Sequence, residues 1–164
     1  MPSRLLSIIC ISLVFSTSQC SISRSVSSTP KDISTKKLSR QNIVSFAKKQ
    51  QGSPYKYAGR SPRGFDCSGF THYVYDAFDI NLTPVSRVQE TEGRKVLLKN
   101  AQPGDLIFFR KTNLGSVFHV ALVVNNDADG ISVVHSTSSR GVIVENISKS
   151  SYWKHKISSA RSFL

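Results

Sequence analysis

Residues 65–78 have the sequence FDCSGFTHYVYDAF, which joins a helix-capping residue to a run with helical spacing of its apolar side chains. Asp66 is a residue type that caps helices, because its carboxylate accepts a hydrogen bond from a free N–H group of the first turn. Beyond it, apolar side chains recur at intervals of three and four residues, the spacing of one helical face. The stretch therefore predicts a helix from Cys67 to Phe78, with an apolar face made of Phe70, Val74, Ala77 and Phe78.

Two further helices are predicted on either side of this one. Apolar residues on one helical face at 43–47 predict a helix that stops before Gly52, and a shorter helix is predicted from Ser86 to Glu92. The segment 52–66 (GSPYKYAGRSPRGFD) lies between the first two helices and is rich in glycine and proline. That composition predicts a loop with several turns.

Beyond residue 100 the pattern changes from helix to strand. Segments rich in β-forming residues occur at 105–109, 119–124, 131–135 and 142–145, separated by loops such as NNDADG and STSSRG. Helices followed by a series of strands are typical of an α+β domain with an antiparallel sheet. With 164 residues, of which 39% are hydrophobic, the chain has the length and composition of one globular domain.

Cys67 is a candidate nucleophile because it falls in the predicted first turn of a helix. Free N–H groups and the positive end of the helix dipole favour the thiolate there, and the thiolate is the attacking species. The small residues Ser68 and Gly69 would let a substrate backbone approach closely. The alternative is a buried helical cysteine that packs as a small hydrophobic residue.

His119 and His135 are the candidates for a base and for a residue that orients it. If residues 124–130 form the turn between two antiparallel strands, with 123 opposite 131, then 119 lies opposite 135. Side chains directly opposite each other have Cβ atoms about 4.5–5.5 Å apart. The alternative is a pair of strand-end histidines that face solvent, and a one-residue slip of the register would separate them.

The other two histidines are not expected to act in a site with Cys67. His72 points about 140° away from Cys67 on the same helix, and His155 lies in a basic segment that predicts a surface position. The sequence contains no CxxC or HxxxH spacing, which predicts no metal site. It contains neither a Walker pattern nor GxGxxG, so no nucleotide cofactor is expected.

The charge of the chain is strongly positive. Lys and Arg total 22 against ten Asp and Glu, which gives a net charge of +12. Such a surplus favours polyanionic partners, namely nucleic acid, anionic lipid or carboxylate-rich cell-wall peptides. Because the basic residues do not alternate with aromatic residues along a helix or strand, nucleic acid is not expected as a partner.

The N-terminal segment predicts export. Arg4, the apolar stretch LLSIICISLVF at 5–15 and the small residues after it are typical of a secretory signal, so residues 1–19 are assigned to a signal peptide. Residues 20–39 are rich in Ser, Thr and basic residues and predict a flexible tether. The folded domain is then 40–164.

Cys20 directly follows the predicted signal and resembles the lipidated cysteine of bacterial lipoproteins. Thr17 and Gln19 depart from the usual residues of that motif. We predict that Cys20 is lipidated and anchors the protein to a membrane of the cell envelope, and the alternative is a soluble secreted or periplasmic protein. Once Cys10 leaves with the signal, Cys20–Cys67 is the one disulfide that remains possible.

Several segments together resemble the NlpC-type family of cell-wall peptidases, namely GSPYKYAG, FDCSGFTHYVY, TPVSRVQETEG, PGDLIFF, HVALVV and VVH. The resemblance covers about residues 40–164. It implies a papain-like α+β fold, with N-terminal helices packed on an antiparallel sheet. It also implies a thiol peptidase that hydrolyses peptide stems of peptidoglycan, commonly between D-glutamate and the diamino acid that follows. We expect a monomer that needs no cofactor.

The resemblance also implies roles for individual residues. Cys67 is the nucleophile, His119 the general base and His135 the polar residue that orients the imidazole. A wall amidase that cuts between sugar and peptide, or an acyl-transferring relative, would use the same set. A non-catalytic envelope protein that binds wall fragments is a further alternative, although a pure binder does not need this set.

Three residues are expected to bind the substrate. Tyr55 would lie beside the active site, where its hydroxyl helps to bind the oxyanion. Asp66 and Ser68 would contact the free amine of the substrate, and the alternative for Asp66 is a helix cap alone. Ala58 and Ala121 stand where the family has glycine, which would reshape the substrate groove but leave the catalytic set intact.

Overall fold

The computed structural model describes residues 39–164. The predicted signal peptide, Cys20 and the predicted tether up to residue 38 lie outside the described residues. The helices within 39–164 are α1 (Arg40–Lys48), α2 (Cys67–Asp76), α3 (Ser86–Gln89) and a 3₁₀ helix at Leu98–Asn100. The strands are β1 (Arg60–Ser61), β2 (Gly64–Phe65), β3 (Arg94–Val96), β4 (Leu106–Arg110), β5 (Val117–Asp127), β6 (Gly130–Thr137), β7 (Gly141–Asn146) and β8 (Ile157–Ser162). In this part of the chain, no helix is both long and apolar enough to cross a membrane.

The first helix packs along the second. Ser39 caps α1 by accepting a hydrogen bond from the backbone N–H of Asn42. The ring of Phe46 on α1 stacks on Tyr73 of α2, with ring centroids 5.7 Å apart. The face that α1 buries is the one that the periodicity predicted: Ile43, Val44 and Ala47.

Helix α2 begins where the sequence predicted and ends earlier. The Asp66 carboxylate accepts a hydrogen bond from the backbone N–H of Gly69 at 2.6 Å, so Asp66 is the N-cap. The helix ends at Asp76 rather than Phe78, because Asp79 takes a left-handed conformation with φ of 61°. The helix α3 is also shorter than predicted and ends at Gln89.

Six strands form one antiparallel sheet in the order β3-β8-β4-β5-β6-β7. The prediction of an α+β domain with an antiparallel sheet is confirmed, and β4 to β7 are the four predicted strands with slightly different ends. The strands β3 and β8 were not predicted. β8 has the sequence ISSARS, whose small residues Ala160 and Ser162 are buried, and such residues give no strong strand signal. β1 and β2 form a separate small hairpin.

The register between β5 and β6 differs from the predicted one. Val123 lies opposite Val133 rather than Ile131, and the register shifts between Val123 and Asn125. The predicted placement of 119 directly opposite 135 is therefore wrong. A displacement of two residues keeps every side chain on its original face, so His119 and His135 still share one face and lie diagonally to each other.

The sheet has an apolar core on each face. Leu106 and Phe108 belong to the cluster that packs against α1 and α2. Ile107 and Phe109, which alternate with them along β4, belong to the opposite cluster around Trp153. This burial on both faces explains why β4 is apolar along nearly its whole length.

The loop 52–66 packs closely against the first turn of α2. A Cβ on Gly69 would lie 2.0 Å from the carbonyl oxygen of Gly59, a distance that no real side chain tolerates. Gly69 therefore allows this backbone contact, and the predicted space for a substrate backbone at Gly69 is wrong because the loop fills it. Ala58 in the same loop has φ of 53°, a left-handed conformation that glycine adopts with less strain.

Candidate active site

A cleft of about 510 Å³ opens where the start of α2 meets the strands β5 and β6. This volume falls in the usual range of small-ligand sites. Side chains from distant parts of the sequence meet in its lining, among them Tyr55, Cys67, His119, Glu145 and Trp153.

The thiol of Cys67 is the first side chain of α2 and is partly buried. Burial raises the pKa of Cys67 to about 11, whereas hydrogen bonds from the backbone N–H groups of Val120 and Ser68 act in the opposite direction. The negative charge of Asp66 raises the pKa further. The prediction that the helix start favours the thiolate is thus wrong for the resting protein, because desolvation of the sulfur outweighs the helix N–H groups.

The two candidate histidines are in contact. His119 Nε2 lies 2.9 Å from His135 Nδ1, and the ring planes are inclined at 73°. His119 is 6% exposed and His135 is fully buried, which rules out a pair of strand-end histidines that face solvent. The expected adjacency is confirmed, although it arises from a diagonal and not a direct pairing.

Glu145 on β7 is a residue of the site that the sequence analysis did not find. Its Oε1 atom lies 2.8 Å from His135 Nε2, on the opposite side of the ring from His119. The same oxygen accepts hydrogen bonds from Trp153 Nε1 and from Arg140 Nη2, each at 3.0 Å. The one available signal was an acidic residue at the end of the apolar run VIV, on a strand that follows His135 after a short loop.

Burial and hydrogen bonds determine the charges of His119 and Glu145. Burial lowers the pKa of His119 well below its usual 6.5, His135 lowers it further by repulsion of a second positive charge, and Glu145 opposes both effects. The hydrogen bond from His135 lowers the pKa of Glu145 to about 2, and Arg140 adds to this shift. At neutral pH, Glu145 is therefore an anion and His119 a neutral imidazole that can accept a proton.

Trp153 is the second residue that the sequence analysis did not find. Its ring stacks on His119 with centroids 4.6 Å apart and an angle of 26°. Phe109 contacts the same imidazole at 5.5 Å. These two aromatic rings restrict the orientation of His119. Phe109 lies opposite His119 in the pairing of β4 with β5. No local sequence pattern indicates Trp153, because its contact depends on how the chain between β7 and β8 folds back.

Tyr55 lies at the cleft, as expected. Its side chain is partly exposed, and burial together with the charges of Cys67 and Asp66 raises the pKa of the hydroxyl above 10.0. The hydroxyl therefore stays protonated over the physiological range and is available as a hydrogen-bond donor.

Asp66 and Ser68 do not line the cleft. The Ser68 hydroxyl is buried and lies within hydrogen-bond distance of Asp66 Oδ1 (3.1 Å) and of the carbonyl oxygen of Pro84 (3.2 Å). Asp66 Oδ1 also accepts the capping hydrogen bond from Gly69. The structure thus shows both side chains engaged in holding the start of α2.

The remaining histidines lie away from the cleft, as predicted. His72 Nδ1 lies 2.6 Å from the carbonyl oxygen of Leu82, and His155 is exposed. Among residues 39–164, no group of three or more His, Cys, Asp or Glu side chains is placed to hold a metal ion.

The arrangement is suited to nucleophilic attack on a carbonyl carbon. A thiol and a neutral imidazole line one cleft, and the imidazole is held by a second imidazole and by an aromatic ring. A base held by a third group is the general pattern of an activated nucleophile. A tyrosine hydroxyl, which can donate a hydrogen bond, lines the same cleft.

Comparison with known proteins gives consistent matches. The model of the NlpC/P60 family matches residues 52–162, which is more than half of the chain. The gamma-DL-glutamyl hydrolase of Bacillus subtilis (strain 168) is 42% identical over 136 residues, covering 81% of this chain and 32% of that protein. The gamma-D-glutamyl-L-lysine dipeptidyl-peptidase of Bacillus cereus (strain ATCC 10987 / NRS 248) is 41% identical over 96 residues, covering 58% and 28%. The chain thus spans about a third or less of the length of these relatives.

Solved structures support the same fold. An NlpC/P60 family protein from Bacillus cereus ATCC 10987 matches with a TM-score of 0.71 and 32% identity, over 77% of this chain and 41% of that one. The NlpC/p60 domain of the peptidoglycan hydrolase SagA matches with a TM-score of 0.64 and 29% identity, over 77% of this chain and all of that domain. The expected papain-like fold is confirmed.

The raised pKa of Cys67 leads to a test by alkylation. Because the thiol is protonated up to a pKa of about 11, its reaction rate with iodoacetamide should still increase between pH 9 and pH 10. The rate is measured on the full chain by mass spectrometry of the peptide that contains Cys67, with an unstructured, blocked cysteine peptide as the reference thiol, whose pKa is about 8.5. If the alkylation rate of Cys67 instead reached its maximum below pH 7 and did not change above it, the resting protein would contain a thiolate and the raised pKa would be wrong.

Proposed function

This chain belongs to the NlpC/P60 family, and on that premise we propose that it is a cysteine endopeptidase that hydrolyses stem peptides of peptidoglycan. The observation that carries the proposal is the buried hydrogen bond between His119 and His135 beside the cleft that Cys67 lines. Burying two imidazoles is unfavourable unless their polar atoms are hydrogen-bonded. Such an arrangement is expected where an oriented base is needed.

In the proposed reaction, Cys67 attacks the carbonyl carbon of a peptide bond. His119 removes the thiol proton during the attack and returns it to the leaving amine, which leaves a thioester on Cys67. Water, activated by the same imidazole, then hydrolyses the thioester. His135 holds the His119 ring in place, and Trp153 stacks against it.

The proposed substrate contacts differ in how directly they reach the cleft. Tyr55 lines the cleft and is proposed to donate a hydrogen bond to the developing oxyanion. Asp66 adjoins Cys67 but does not line the cleft, so it is proposed to contact the free amine only of a substrate that extends past the cleft. The contact would use Oδ2, because the hydrogen bonds from Ser68 and Gly69 both fall on Oδ1. Ser68 is proposed to hold Asp66 in that position.

For the scissile bond, we propose the one between D-glutamate and the diamino acid that follows. The names of two relatives, a gamma-DL-glutamyl hydrolase and a gamma-D-glutamyl-L-lysine dipeptidyl-peptidase, support a γ-glutamyl carbonyl as the point of attack. A murein DD-endopeptidase/LD-carboxypeptidase of Escherichia coli, 31% identical over 115 residues, shows that related chains act on other bonds. An amidase, an acyl-transferring enzyme and a non-catalytic wall binder are therefore outcomes that the product analysis must distinguish.

A second candidate substrate is a longer γ-linked glutamyl chain. Lys111 and Arg140 both line the cleft and are exposed, with Arg140 also paired to Glu145, and the whole chain has a net charge of +12. A polymer with many free carboxylates would be attracted to such a surface. The relative from Bacillus subtilis carries a name consistent with this substrate class.

The two histidines of the site can be separated by substitution. His119→Ala and His119→Gln should both lower kcat/KM by about 10²–10⁴-fold, the usual contribution of proton transfer. His135→Ala should also be severe, but His135→Asn or His135→Gln should recover a measurable part of the rate. A side-chain amide can accept a hydrogen bond from His119 and donate one to Glu145, as the imidazole of His135 does.

The rates are measured on a soluble stem peptide, with thermal unfolding of each variant to confirm that it folds. His155→Gln serves as the matched control because this histidine is exposed and lies outside the cleft, and its rate should equal that of the wild type. Full activity of His135→Ala would remove His135 from the proposed site.

We propose further that the protein is exported to the cell envelope and anchored by a lipid on Cys20. The support is the sequence of residues 1–20 alone. A fatty-acid probe should label the wild type and Cys67→Ser in cells, but not Cys20→Ser. Equal labelling and equal membrane fractionation of Cys20→Ser would show a protein without this anchor.

A further inference from the structure

We propose that Glu145 is a positioning residue that acts through His135 to hold the proton of His119 on Nε2, so that Nδ1 remains free to accept the proton of Cys67. The inference rests on the proposed function in one respect, namely that His119 is the base. It adds Glu145 as a third residue to the pair of histidines. Glu145 then determines which ring nitrogens donate hydrogen bonds and which accept them.

The hydrogen bond between Glu145 and His135 determines where the proton of His135 lies. Glu145 Oε1 is 2.8 Å from His135 Nε2, and the hydrogen bond between them lowers the pKa of the carboxyl to about 2. An ionised carboxylate has no proton to donate and acts as an acceptor only. The proton in this contact must therefore be on Nε2 of His135.

The position of the proton on His135 determines which nitrogen donates in its hydrogen bond with His119. When His135 carries a single proton, on Nε2, its Nδ1 presents a lone pair. That atom lies 2.9 Å from His119 Nε2, so in this form His119 donates from Nε2. A neutral imidazole carries one ring proton, and His119 Nδ1 is therefore unprotonated and able to act as a base.

No other contact fixes these protons. Among the described residues, the two ring nitrogens of His135 have only His119 and Glu145 as hydrogen-bond partners, and His119 Nε2 has only His135. Without an acceptor at His135 Nε2, either imidazole can donate to the other. Donation from His135 would move the proton of His119 to Nδ1, and this form cannot accept the proton of Cys67.

Glu145 is itself held in place by two neighbours. Trp153 Nε1 and Arg140 Nη2 each donate a hydrogen bond to the oxygen that His135 contacts. The side chain of Glu145 is 18% exposed, whereas that of Arg140 is 55% exposed. The carboxylate thus lies between the buried imidazoles and the rim of the cleft. His135 and Trp153 hold it on the buried side, and Arg140 holds it on the exposed side.

The charge of Glu145 has a second consequence during the reaction. As the S–H bond of Cys67 breaks and the N–H bond of His119 Nδ1 forms, a positive charge develops on the imidazole pair. Glu145 lies one hydrogen bond beyond His135 and stabilises this charge in a site with little water. Its negative charge raises the pKa of His119, in opposition to burial and to His135.

Two substitutions separate the acceptor from the charge. Glu145→Gln keeps a carbonyl oxygen that can accept from His135 but removes the charge, whereas Glu145→Met has a similar length and removes both. Asp129→Asn is the matched control, because it also removes one carboxylate but lies at an exposed turn, where Asp129 pairs with Lys149. Thermal unfolding of each variant establishes that it folds.

The direct measurement is ¹⁵N NMR of the histidine ring nitrogens in the full chain at pH 7, with His119→Gln used to assign the signals. The wild type and Asp129→Asn should both show His119 protonated on Nε2 and unprotonated on Nδ1. In Glu145→Met, a substantial fraction of His119 should carry its proton on Nδ1. If the His119 signals of Glu145→Met equal those of the wild type, Glu145 does not set this proton and the proposal is overturned.

The kinetic measurement is the pH profile of stem-peptide hydrolysis. We expect kcat to fall about 10-fold for Glu145→Gln and about 100-fold for Glu145→Met, with KM changed less than about threefold. This is the range found when a carboxylate that orients a metal-bound histidine is removed. The acid limb of kcat/KM should move to lower pH in both variants, because the loss of the negative charge lowers the pKa of His119. Cys67, His135, Arg140 and Lys111 also lie at or near the cleft, and all four are unchanged in these variants.

A purely structural role of Glu145 would give a different result. Loosened packing would admit water to His119 and move the acid limb upward, toward the ordinary histidine pKa of about 6.5, and this outcome would also overturn the proposal. If the wild type hydrolysed no stem peptide, the proposed function would fail, but the NMR measurement would still decide the role of Glu145.

Discussion

The buried hydrogen bond between His119 and His135 is the interaction on which the site depends. Both imidazoles are buried, and buried polar groups in native proteins are nearly always hydrogen-bonded. The strands β5 and β6 provide the geometry, because diagonal neighbours on adjacent strands lie within reach of long side chains. Glu145 on β7 forms the next hydrogen bond, with His135. Three adjacent strands, β5, β6 and β7, therefore each contribute one residue to this row of hydrogen bonds.

The proposed nucleophile, Cys67, reaches the same cleft from the other side of the sheet. Cys67 packs against the cluster between the sheet and the helices, whereas His119 stacks on Trp153 of the opposite cluster. They meet near the beginning of β5, where the backbone N–H of Val120 is hydrogen-bonded to the sulfur. The contact between Gly59 and Gly69 holds the start of α2 in this position. The candidate active site therefore draws its side chains from both apolar clusters.

Much of this arrangement follows from the sequence. The capping residue Asp66, the apolar face of α2 and the β-rich runs predict the helices and four of the six strands of the sheet, because these signals are local. The register of β5 and β6 was not predictable, since the irregularity near Val124 leaves no mark in the sequence. β8 was missed because its buried residues are small, and it forms a strand only because β3 and β4 pair with it.

The site shows the same division. Cys67, His119 and His135 were found because residue type and position point to chemistry, and the family resemblance supported them. Glu145 and Trp153 were missed because their roles exist only through contacts between segments that are distant in sequence or diagonal in the sheet. The state of the thiol was misjudged for a similar reason, since the helix start is a local feature, whereas burial of the sulfur depends on the tertiary structure.

The proposed cleavage of a γ-glutamyl peptide bond by Cys67 is tested most directly by mass spectrometry of the products from a purified muropeptide. We expect one fragment that ends in D-glutamate and a second that begins with the diamino acid, with neither formed by Cys67→Ala. The same fragments from Cys67→Ala would contradict the role of Cys67. Fragments from a cut between sugar and peptide would contradict the proposed bond.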